Sequence, residues 1–303
     1  MKKLGQYLLA NNTRAAILSF LCTLLPLIEI PGGIIAAIIV GLITLRKGYK
    51  SGLLILAFIA LPAISLLVLR EFQYGPFDAT LMMGIFVWIF ALVFRNTYSW
   101  ARVLEIMAGL GAVIVLMIHL LVPTIRQFWL LSLDDFYKQS GWAKILGYNT
   151  PDRIHLFVVH VAPVATGGVM FLFLLGVFIL LLLARWWQAI VFSADSLRKE
   201  FTRIQISRVV SIMGIFLTAA LFFKWGYLLD LYPVLLLPFM IAGLSLLHKV
   251  IGRLKQAKIL LFFVYAALVL VSFLMVILLA FIGFVDSWYN FRKRFCDLPG
   301  VSG

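Results

Sequence analysis

Residues Val169–Ala184 read VMFLFLLGVFILLLLA, a run that is apolar on every face of a helix. Two longer runs share this property: GLLILAFIALPAISLLVL (Gly52–Leu69) and ILLFFVYAALVLVSFLMVILLAFIGF (Ile259–Phe284). A helix on the surface of a soluble protein has a polar face toward water, and these runs have none. Apolar runs of about 18 or more residues are long enough to cross the hydrocarbon of a bilayer as helices. The sequence therefore predicts an all-α integral membrane protein whose main partner is the lipid bilayer.

The composition agrees with this class. Hydrophobic residues make up 64% of the 303 residues, charged residues make up 13%, and the net charge is +14. In a soluble chain such an excess of Lys and Arg favours nucleic-acid binding. Here the positive residues fall between apolar runs, where they orient helices and meet anionic lipid. We therefore predict one polytopic membrane domain over residues 1–303, with no nucleic-acid partner.

Nine apolar segments are candidate spans, which predicts a helical bundle of about eight or nine transmembrane segments. They are Ala15–Ile28, Ile34–Leu45, Gly52–Leu69, Ala79–Phe94, Val103–Val122, Ile154–Ala184, Val209–Phe223, Leu228–Leu247 and Ile259–Phe284. Ile34–Leu45 is short for a crossing, which favours one half of a re-entrant pair with the first segment. Ile154–Ala184 is long and contains APVATGG (Ala162–Gly168), where a proline and two glycines predict a kink or an unwound turn.

The distribution of Lys and Arg predicts the orientation. With the N-terminus in the cytoplasm, 17 of the 26 Lys and Arg residues fall in cytoplasmic gaps and 9 fall outside. This bias follows the positive-inside rule. Nine crossings, however, place the basic cluster FRKRF (Phe291–Phe295) outside, against that rule. We expect a multi-pass protein of the inner membrane, with its first helix retained rather than cleaved as a signal peptide.

Two gaps are predicted to contain amphipathic helices. The outer loop, residues 123–153, alternates aromatic residues and leucines with charges, which is typical of a helix at the membrane interface. Residues 193–208 predict a cytoplasmic surface helix with Leu197, Phe201 and Ile204 on one face. Five of its residues form a candidate surface for a protein partner or anionic lipid: Arg198, Lys199, Glu200, Phe201 and Arg203. We expect Glu200 to pair locally with Arg203.

Seven residues at helix ends are candidate ligand contacts. Glu29 lies between two prolines where two short apolar runs meet, and its carboxylate could bind a cation or a substrate amine. The alternative is an ordinary turn in interfacial water. Beyond Glu29 the candidates are Arg185, Trp186 and Trp187 in ARWWQA, and Asp286, Trp288 and Arg292 in DSWYNFR. Membrane anchoring explains the tryptophans and arginines equally well, and a Trp288–Arg292 stack is a further interpretation.

The sequence disfavours an enzyme. The four histidines show no metal-binding spacing, and the pair Asp134–Asp135 has no second acidic motif, so we expect no metal and no cofactor. The two cysteines, Cys22 and Cys296, give no disulfide framework. Phosphate-binding loops and nucleophile motifs are also absent from the sequence. No internal repeat is obvious.

The opening pattern LPLIEIPGGIIAAIIVGLITLRKGYKSGL, the stretch ARWWQA…LRKEF and the closing GFVDSWYNFRKR together resemble the YybS-like family of bacterial membrane proteins, a domain of unknown function. That family is distantly similar to the substrate-binding membrane subunits of energy-coupling-factor vitamin transporters. The resemblance implies an α-helical membrane domain that captures a small molecule, but it implies no substrate. Its motif positions here are Arg185, Trp186, Trp187, Glu200, Phe201, Asp286, Trp288 and Arg292.

Three functions remain open at this point. The first is transporter-like capture of a small-molecule ligand, with Glu29 and Asp286 as polar contacts. The second is a scaffold or assembly factor that binds a cytoplasmic protein or anionic lipid through residues 193–208, and a homo-oligomer is a further open partner. The third, an enzyme acting on a lipid-linked substrate, ranks last because only 12 acidic residues are present.

Overall fold

The computed structural model describes residues 1–28, 30–68, 76–140, 150–192, 196–222, 226–254 and 256–292. Within these residues the chain is helical and has no strands, as the apolar runs predict. In lipid, every backbone amide and carbonyl needs a partner inside the protein, and a helix supplies these partners within one segment. The all-helical architecture follows from that constraint.

The helices of the first half, in chain order, are α1 (Lys2–Ala10), α2 (Asn12–Leu24), α3 (Gly32–Lys47), α4 (Tyr49–Val68), α5 (Pro76–Thr97), α6 (Trp100–Leu121) and α7 (Ile125–Gln139). Those of the second half are α8 (Pro151–Val161), α9 (Ala165–Phe192), α10 (Ser196–Phe201), α11 (Arg208–Phe222), α12 (Gly226–Leu229), α13 (Tyr232–Ile251), α14 (Ala257–Leu270) and α15 (Ser272–Tyr289).

Five helical segments are long and apolar enough to cross a membrane, counted over the described residues. They are Phe77–Thr97, Trp100–Leu121, Pro151–Phe192, Tyr232–Ile251 and Ser272–Tyr289. Three shorter apolar helices accompany them: Tyr49–Ser65, Arg208–Ala219 and Ala257–Leu270. The structure thus agrees with a membrane-embedded helical protein, and the finer prediction of eight or nine spans stays a prediction.

The helix type changes within APVATGG, where the sequence predicts a kink or an unwound turn. Helix α8 ends at Val161, a short 3-10 turn covers Ala162–Val164, and α9 starts at Ala165. A proline ring removes one helical hydrogen bond and clashes with the preceding turn, so the chain changes its helical geometry there. This turn divides the 42-residue apolar segment into two helices.

The contacts within the chain group it into two units. Unit 1 contains Met1–Val103 and Leu175–Ile204, and unit 2 contains Leu104–Leu174 and Gln205–Gly303. Two of the three boundaries fall inside α6 and α9, and the third lies between Ile204 and Gln205. The prediction of a single domain over residues 1–303 stays a prediction.

In unit 1, helices α3 and α5 run parallel to each other. Their contacts occur in the same order along both helices: Gly33 with Thr80, Gly41 with Val87, and Thr44 with Arg95. An added Cβ atom at Gly33 would lie 2.0 Å from Oγ1 of Thr80, so the glycine permits this approach. Because α3 and α5 are parallel, the intervening α4 must run in the opposite direction.

Unit 2 contains a second parallel pair, α13 and α15. The contacts again advance together: Leu235 and Leu236 share a cavity with Ile277 and Ala280, Gly243 meets Gly283, and Ser245 accepts a hydrogen bond from Arg292. A Cβ atom at Gly243 would lie 2.0 Å from the carbonyl oxygen of Leu279, and one at Gly283 would lie 2.0 Å from that of Phe239. Glycine is therefore required for the two backbones to approach this closely.

The predicted span Ile259–Phe284 is not one continuous helix. The run is divided at Val271, whose backbone angles (φ −126°, ψ 48°) are not helical, into α14 and α15. Since α13 and α15 are parallel, α14 must return between them, and the hydroxyl of Tyr265 lies 3.2 Å from Nε2 of His248 on α13. The turn between the two helices is apolar and highly exposed, as expected of a surface that faces lipid. Both helices and the turn between them are apolar, so the hydropathy pattern does not reveal where the chain reverses.

One helix of each parallel pair carries a similar nine-residue stretch. Residues 39–47 read IVGLITLRK and residues 241–249 read IAGLSLLHK, with five of nine residues identical. This alignment matches Gly41 with Gly243, and each of these glycines lies where its helix meets the second member of the pair.

The predicted surface helix over residues 193–208 is shorter than expected. The structure has α10 over Ser196–Phe201, then a turn and irregular chain to Ser207, while residues 193–195 lie outside the described part. Ile204 and Ile206 are buried, whereas Arg203 and Ser207 are exposed. This period of two is that of an extended chain rather than of a helix.

We predict that Gly243→Ala lowers the free energy of unfolding by about 1–3 kcal/mol, because its new methyl group would overlap a backbone oxygen on α15. The matched control is Gly109→Ala in the same unit, where an added Cβ meets nothing within 4 Å. Unfolding in mixed detergent micelles measures both. Equal stability of the two variants would contradict the close approach of α13 and α15.

Candidate functional site

Arg185 and Glu200 form an ion pair in unit 1. Nε of Arg185 donates to Glu200 at 3.1 Å, Nη2 donates to the second carboxylate oxygen, and Nη1 donates to Gln188 at 2.9 Å. The indole of Trp100 approaches the same carboxylate at 3.4 Å. Glu200 is thus held by a residue 15 positions earlier in the chain, and not by Arg203 as expected. The pair fixes α10 to the end of α9.

The two tryptophans after Arg185 have different surroundings. Trp187 is buried and its indole donates to the carbonyl of Met1 at 3.1 Å, whereas Trp186 is 42% exposed. The exposed side of Trp186 agrees with an interfacial anchor. The guanidinium of Arg185 already binds a carboxylate and an amide, so the geometry does not favour the predicted anion site.

Asp286 and Arg292 form a buried ion pair at the end of α15. Asp286 is fully buried and Arg292 is 5% exposed, with 2.9 Å between Oδ2 and Nε. The other carboxylate oxygen accepts the backbone amide of Phe291, which follows the left-handed residue Asn290. Nη2 of Arg292 donates to the carbonyl of Ala242 and to the hydroxyl of Ser245. A ligand contact through Asp286 is therefore disfavoured, because its carboxylate already stabilises the turn after α15.

Neighbouring segments complete this cluster. The side-chain amide of Gln205 donates to the carbonyl of Asp286 at 2.9 Å, and the hydroxyls of Ser211 and Ser287 lie 2.6 Å apart. Of the remaining sequence candidates, Trp288 is 39% exposed, and Glu29 lies outside the described residues. The structure brings Asp286 and Arg292 together in unit 2. The candidates Arg185, Trp186 and Trp187 belong to unit 1.

A second buried carboxylate, which the sequence analysis did not single out, lies before α13. Asp230 is 1% exposed; its Oδ2 is 2.8 Å from Nε2 of His119, and its Oδ1 accepts the amide of Gly167 at 2.5 Å. A Cβ atom at Gly167 would lie 1.7 Å from the carbonyl oxygen of Asp230, so only glycine fits. The helix break after α8 therefore exposes a backbone amide that binds this carboxylate.

Aromatic and hydroxyl groups surround the same helix break. The indole of Trp129 on α7 donates to Oγ1 of Thr166 at 2.9 Å, and α7 packs against α8 through Leu130, Leu133 and Tyr137. Asp230 lies inside the predicted span Leu228–Leu247, and His119 lies inside Val103–Val122. An ionisable residue inside a predicted membrane span is a candidate functional residue for that reason alone. The sequence therefore contained enough information to single out Asp230 and His119.

A cavity of about 490 Å³ lies among α11, α13 and α15. Its walls are almost entirely apolar, with the rings of Phe239 and Phe284 in edge contact at one end. Tyr232 and Thr218 contribute the hydroxyl groups of the lining, and Tyr232 follows Asp230 by two residues. A volume of this size lies within the range of about 300–1,000 Å³ that small-molecule sites occupy. The residues present fit an apolar or amphipathic molecule.

The acidic pair on α7 has a local role. Asp134 accepts a hydrogen bond from Lys138 one turn later, and this contact raises the pKa of the lysine above its usual value. Among the described residues, no group of three or more His, Cys, Asp or Glu side chains could hold a metal ion. Within this described part of the chain, Asp134 therefore lacks the further ligands that a Mg²⁺ site would need.

Comparisons of the chain with models of known protein families, with curated proteins and with solved structures found no match.

We predict that Asp286→Ala and Arg292→Ala each lower the free energy of unfolding by about 3–5 kcal/mol, because each leaves a buried charge without its partner. The double variant should lose clearly less free energy of unfolding than the sum of the losses of the two single variants. A double-mutant cycle by unfolding in detergent measures this coupling, with the exposed Asp152→Ala as control. Additive losses would contradict the ion pair.

Proposed function

We propose that the protein captures an apolar or amphipathic small molecule within the bilayer, in a transporter-like role. The observation that carries the proposal is the cavity among α11, α13 and α15, which combines apolar walls with the hydroxyls of Tyr232 and Thr218. Such walls would hold the apolar part of a molecule, and the hydroxyls would orient its polar group. This places ligand binding away from Glu29 and Asp286, the contacts expected from the sequence.

The buried pair Asp230–His119 supports a transport role. Ionisable side chains are costly inside a membrane, and broken helices with charged partners are common at the binding sites of transporters. Asp230 has two partners: the imidazole of His119, and the backbone amide of Gly167 in the first turn after the helix break. In this proposal the pair forms the polar end of the site, two residues from Tyr232. The resemblance to the YybS-like family agrees with capture of a small molecule and stays a prediction.

The chain reverses its direction between α14 and α15, and this reversal changes the membrane topology that we propose. The end of α15 lies beside Ser245, shortly before the basic residues that follow α13. Placing both on the cytoplasmic side adds Arg292, Lys293 and Arg294 to the 17 cytoplasmic Lys and Arg residues, which gives 20 of 26. The basic cluster then obeys the positive-inside rule. We keep an N-terminus in the cytoplasm and a multi-pass location in the inner membrane.

A scaffold that binds a protein partner or a second copy of the chain is the alternative. Arg198 and Lys199 on α10 and Arg203 after it are exposed, while the Arg185–Glu200 pair holds α10 in place. Reversing the three charges should abolish function in this case, whereas filling the cavity should not. Catalysis is not part of either proposal.

Gly214→Leu should abolish ligand capture, because the new side chain starts in the cavity wall and meets nothing closer than 3.5 Å. The matched control is Gly176→Leu, which adds the same group where an added Cβ meets nothing within 4 Å. Each protein is purified in mild detergent, and co-purifying molecules are quantified by mass spectrometry. We expect one small molecule at near-stoichiometric amounts in wild type and control, reduced at least tenfold in Gly214→Leu.

Equal amounts in both variants would contradict the proposed site. If wild type retains only bulk lipid and instead co-purifies with a protein, the scaffold function is favoured.

A further inference from the structure

A second cavity, of about 450 Å³, lies in unit 1 between α5 and the turn that joins α3 to α4. The last two turns of α5 form the wall opposite that turn. Three cations, Lys47, Lys50 and Arg95, line this cavity together with Tyr49 and Leu92. We call it the basic pocket.

The backbone at Gly48 shapes the basic pocket. Its φ of +94° belongs to the left-handed region that favours glycine, and its amide donates to the carbonyl of Thr44. The guanidinium carbon of Arg95 is 3.3 Å from the place where a Cβ atom of residue 48 would stand, and its Nη1 approaches the same carbonyl of Thr44 at 3.4 Å. The glycine turn therefore brings the α3 end and the Arg95 head group into contact.

The lysines keep donors for another partner. Nζ of Lys47 donates to Oδ1 of Asn12 at 2.6 Å, and an ammonium group has two further hydrogens. Lys50 is exposed, and its ammonium lies 5.9 Å from the ring centre of Tyr49. The fixed position of Lys47 and the open position of Lys50 allow both to bind one anion between them.

Carboxylates do not neutralise the basic pocket within the described part of unit 1. The acidic residues there are Asp78, in the first turn of α5 and far from Arg95 at its other end, and Glu200, which pairs with Arg185. Among the described residues no acid lines the basic pocket, and three positive side chains around one concave surface repel each other unless an anion is present. This charge balance indicates an anionic ligand.

The surroundings of the pocket indicate that the anion belongs to a lipid. Leu53 and Leu54 follow Lys50 by three and four residues, so they lie on the same face of α4, and both are exposed. An apolar strip thus leads away from the pocket along a helix that is apolar throughout. Tyr49 is exposed at the same level, as aromatic residues are at membrane interfaces. A free anion would gain nothing from this strip, whereas an acyl chain would cover it.

We propose that the basic pocket binds the phosphate of an anionic phospholipid, with Lys47, Lys50 and Arg95 on the phosphate and the acyl chains along Leu53 and Leu54. The site is independent of the cavity in unit 2, so either proposal can fail alone. It also differs from the surface around Arg198, which the sequence alone had suggested for lipid.

The test titrates delipidated protein in neutral detergent with phosphatidylglycerol, phosphatidylcholine or inorganic phosphate, and follows the melting temperature. We expect phosphatidylglycerol to raise it in a saturable manner that weakens with salt, and the other two probes to have little effect. Each basic residue near an anionic lipid contributes about 1 kcal/mol, or about a fivefold change in affinity. Lys50→Gln should therefore bind about fivefold more weakly, and Lys47→Gln with Lys50→Gln about 25-fold more weakly.

The matched control is Arg46→Gln, which removes one positive charge at the same helix end. The guanidinium of Arg46 lies over the ring of Phe192, at 4.3 Å, and does not line the basic pocket. We expect less than a twofold effect from it. The proposal is overturned if Arg46→Gln weakens binding as much as Lys50→Gln, if phosphatidylcholine stabilises equally, or if inorganic phosphate alone accounts for the stabilisation.

Discussion

The packing of helices without water is the constraint on which this structure depends. Lipid tails are as apolar as leucine, so the hydrophobic effect does not hold two membrane helices together, and close contact must do so. The protein achieves this contact with glycine, at Gly41 in unit 1 and at Gly243 with Gly283 in unit 2. At both places the paired helices are parallel, which obliges the helix between them to reverse.

Carboxylates with partners lie where these helices end or break. Asp286 binds the turn after α15, the half-buried Glu200 binds Arg185 near the end of α9, and Asp230 binds the amide of Gly167 in the first turn after the helix break. In each case the carboxylate has a basic or imidazole partner, and a buried carboxylate without one would be costly. The apolar cavity in unit 2 is lined by Tyr232, which follows Asp230 by two residues.

Much of the fold class could be predicted from hydrophobicity, because unbroken apolar runs leave only helices in lipid. The proline and glycines of APVATGG also indicated the helix break correctly. Hydrophobicity does not indicate in which direction a helix runs, however, so the reversal at Val271 and the parallel helix pairs could not be predicted from the sequence. The partners of Arg185 and Asp286 were missed in part because local spacing suggests neighbours, whereas Arg185 binds 15 residues away and Arg292 reaches Ala242. His119 and Asp230 are 111 residues apart, and only the fold joins them.

The direction of α15 is the central claim, and cysteine labelling tests it most directly. Cys22 is buried in α2, so Cys296 can serve as the sole reactive cysteine, and Arg253→Cys in a Cys296→Ser background reports the side reached after α13. A membrane-impermeant maleimide is applied to sealed vesicles of known orientation. Two crossings by α14 and α15 predict that both cysteines are labelled from the same side. Labelling from opposite sides would mean that residues 257–289 cross once, and would contradict the account.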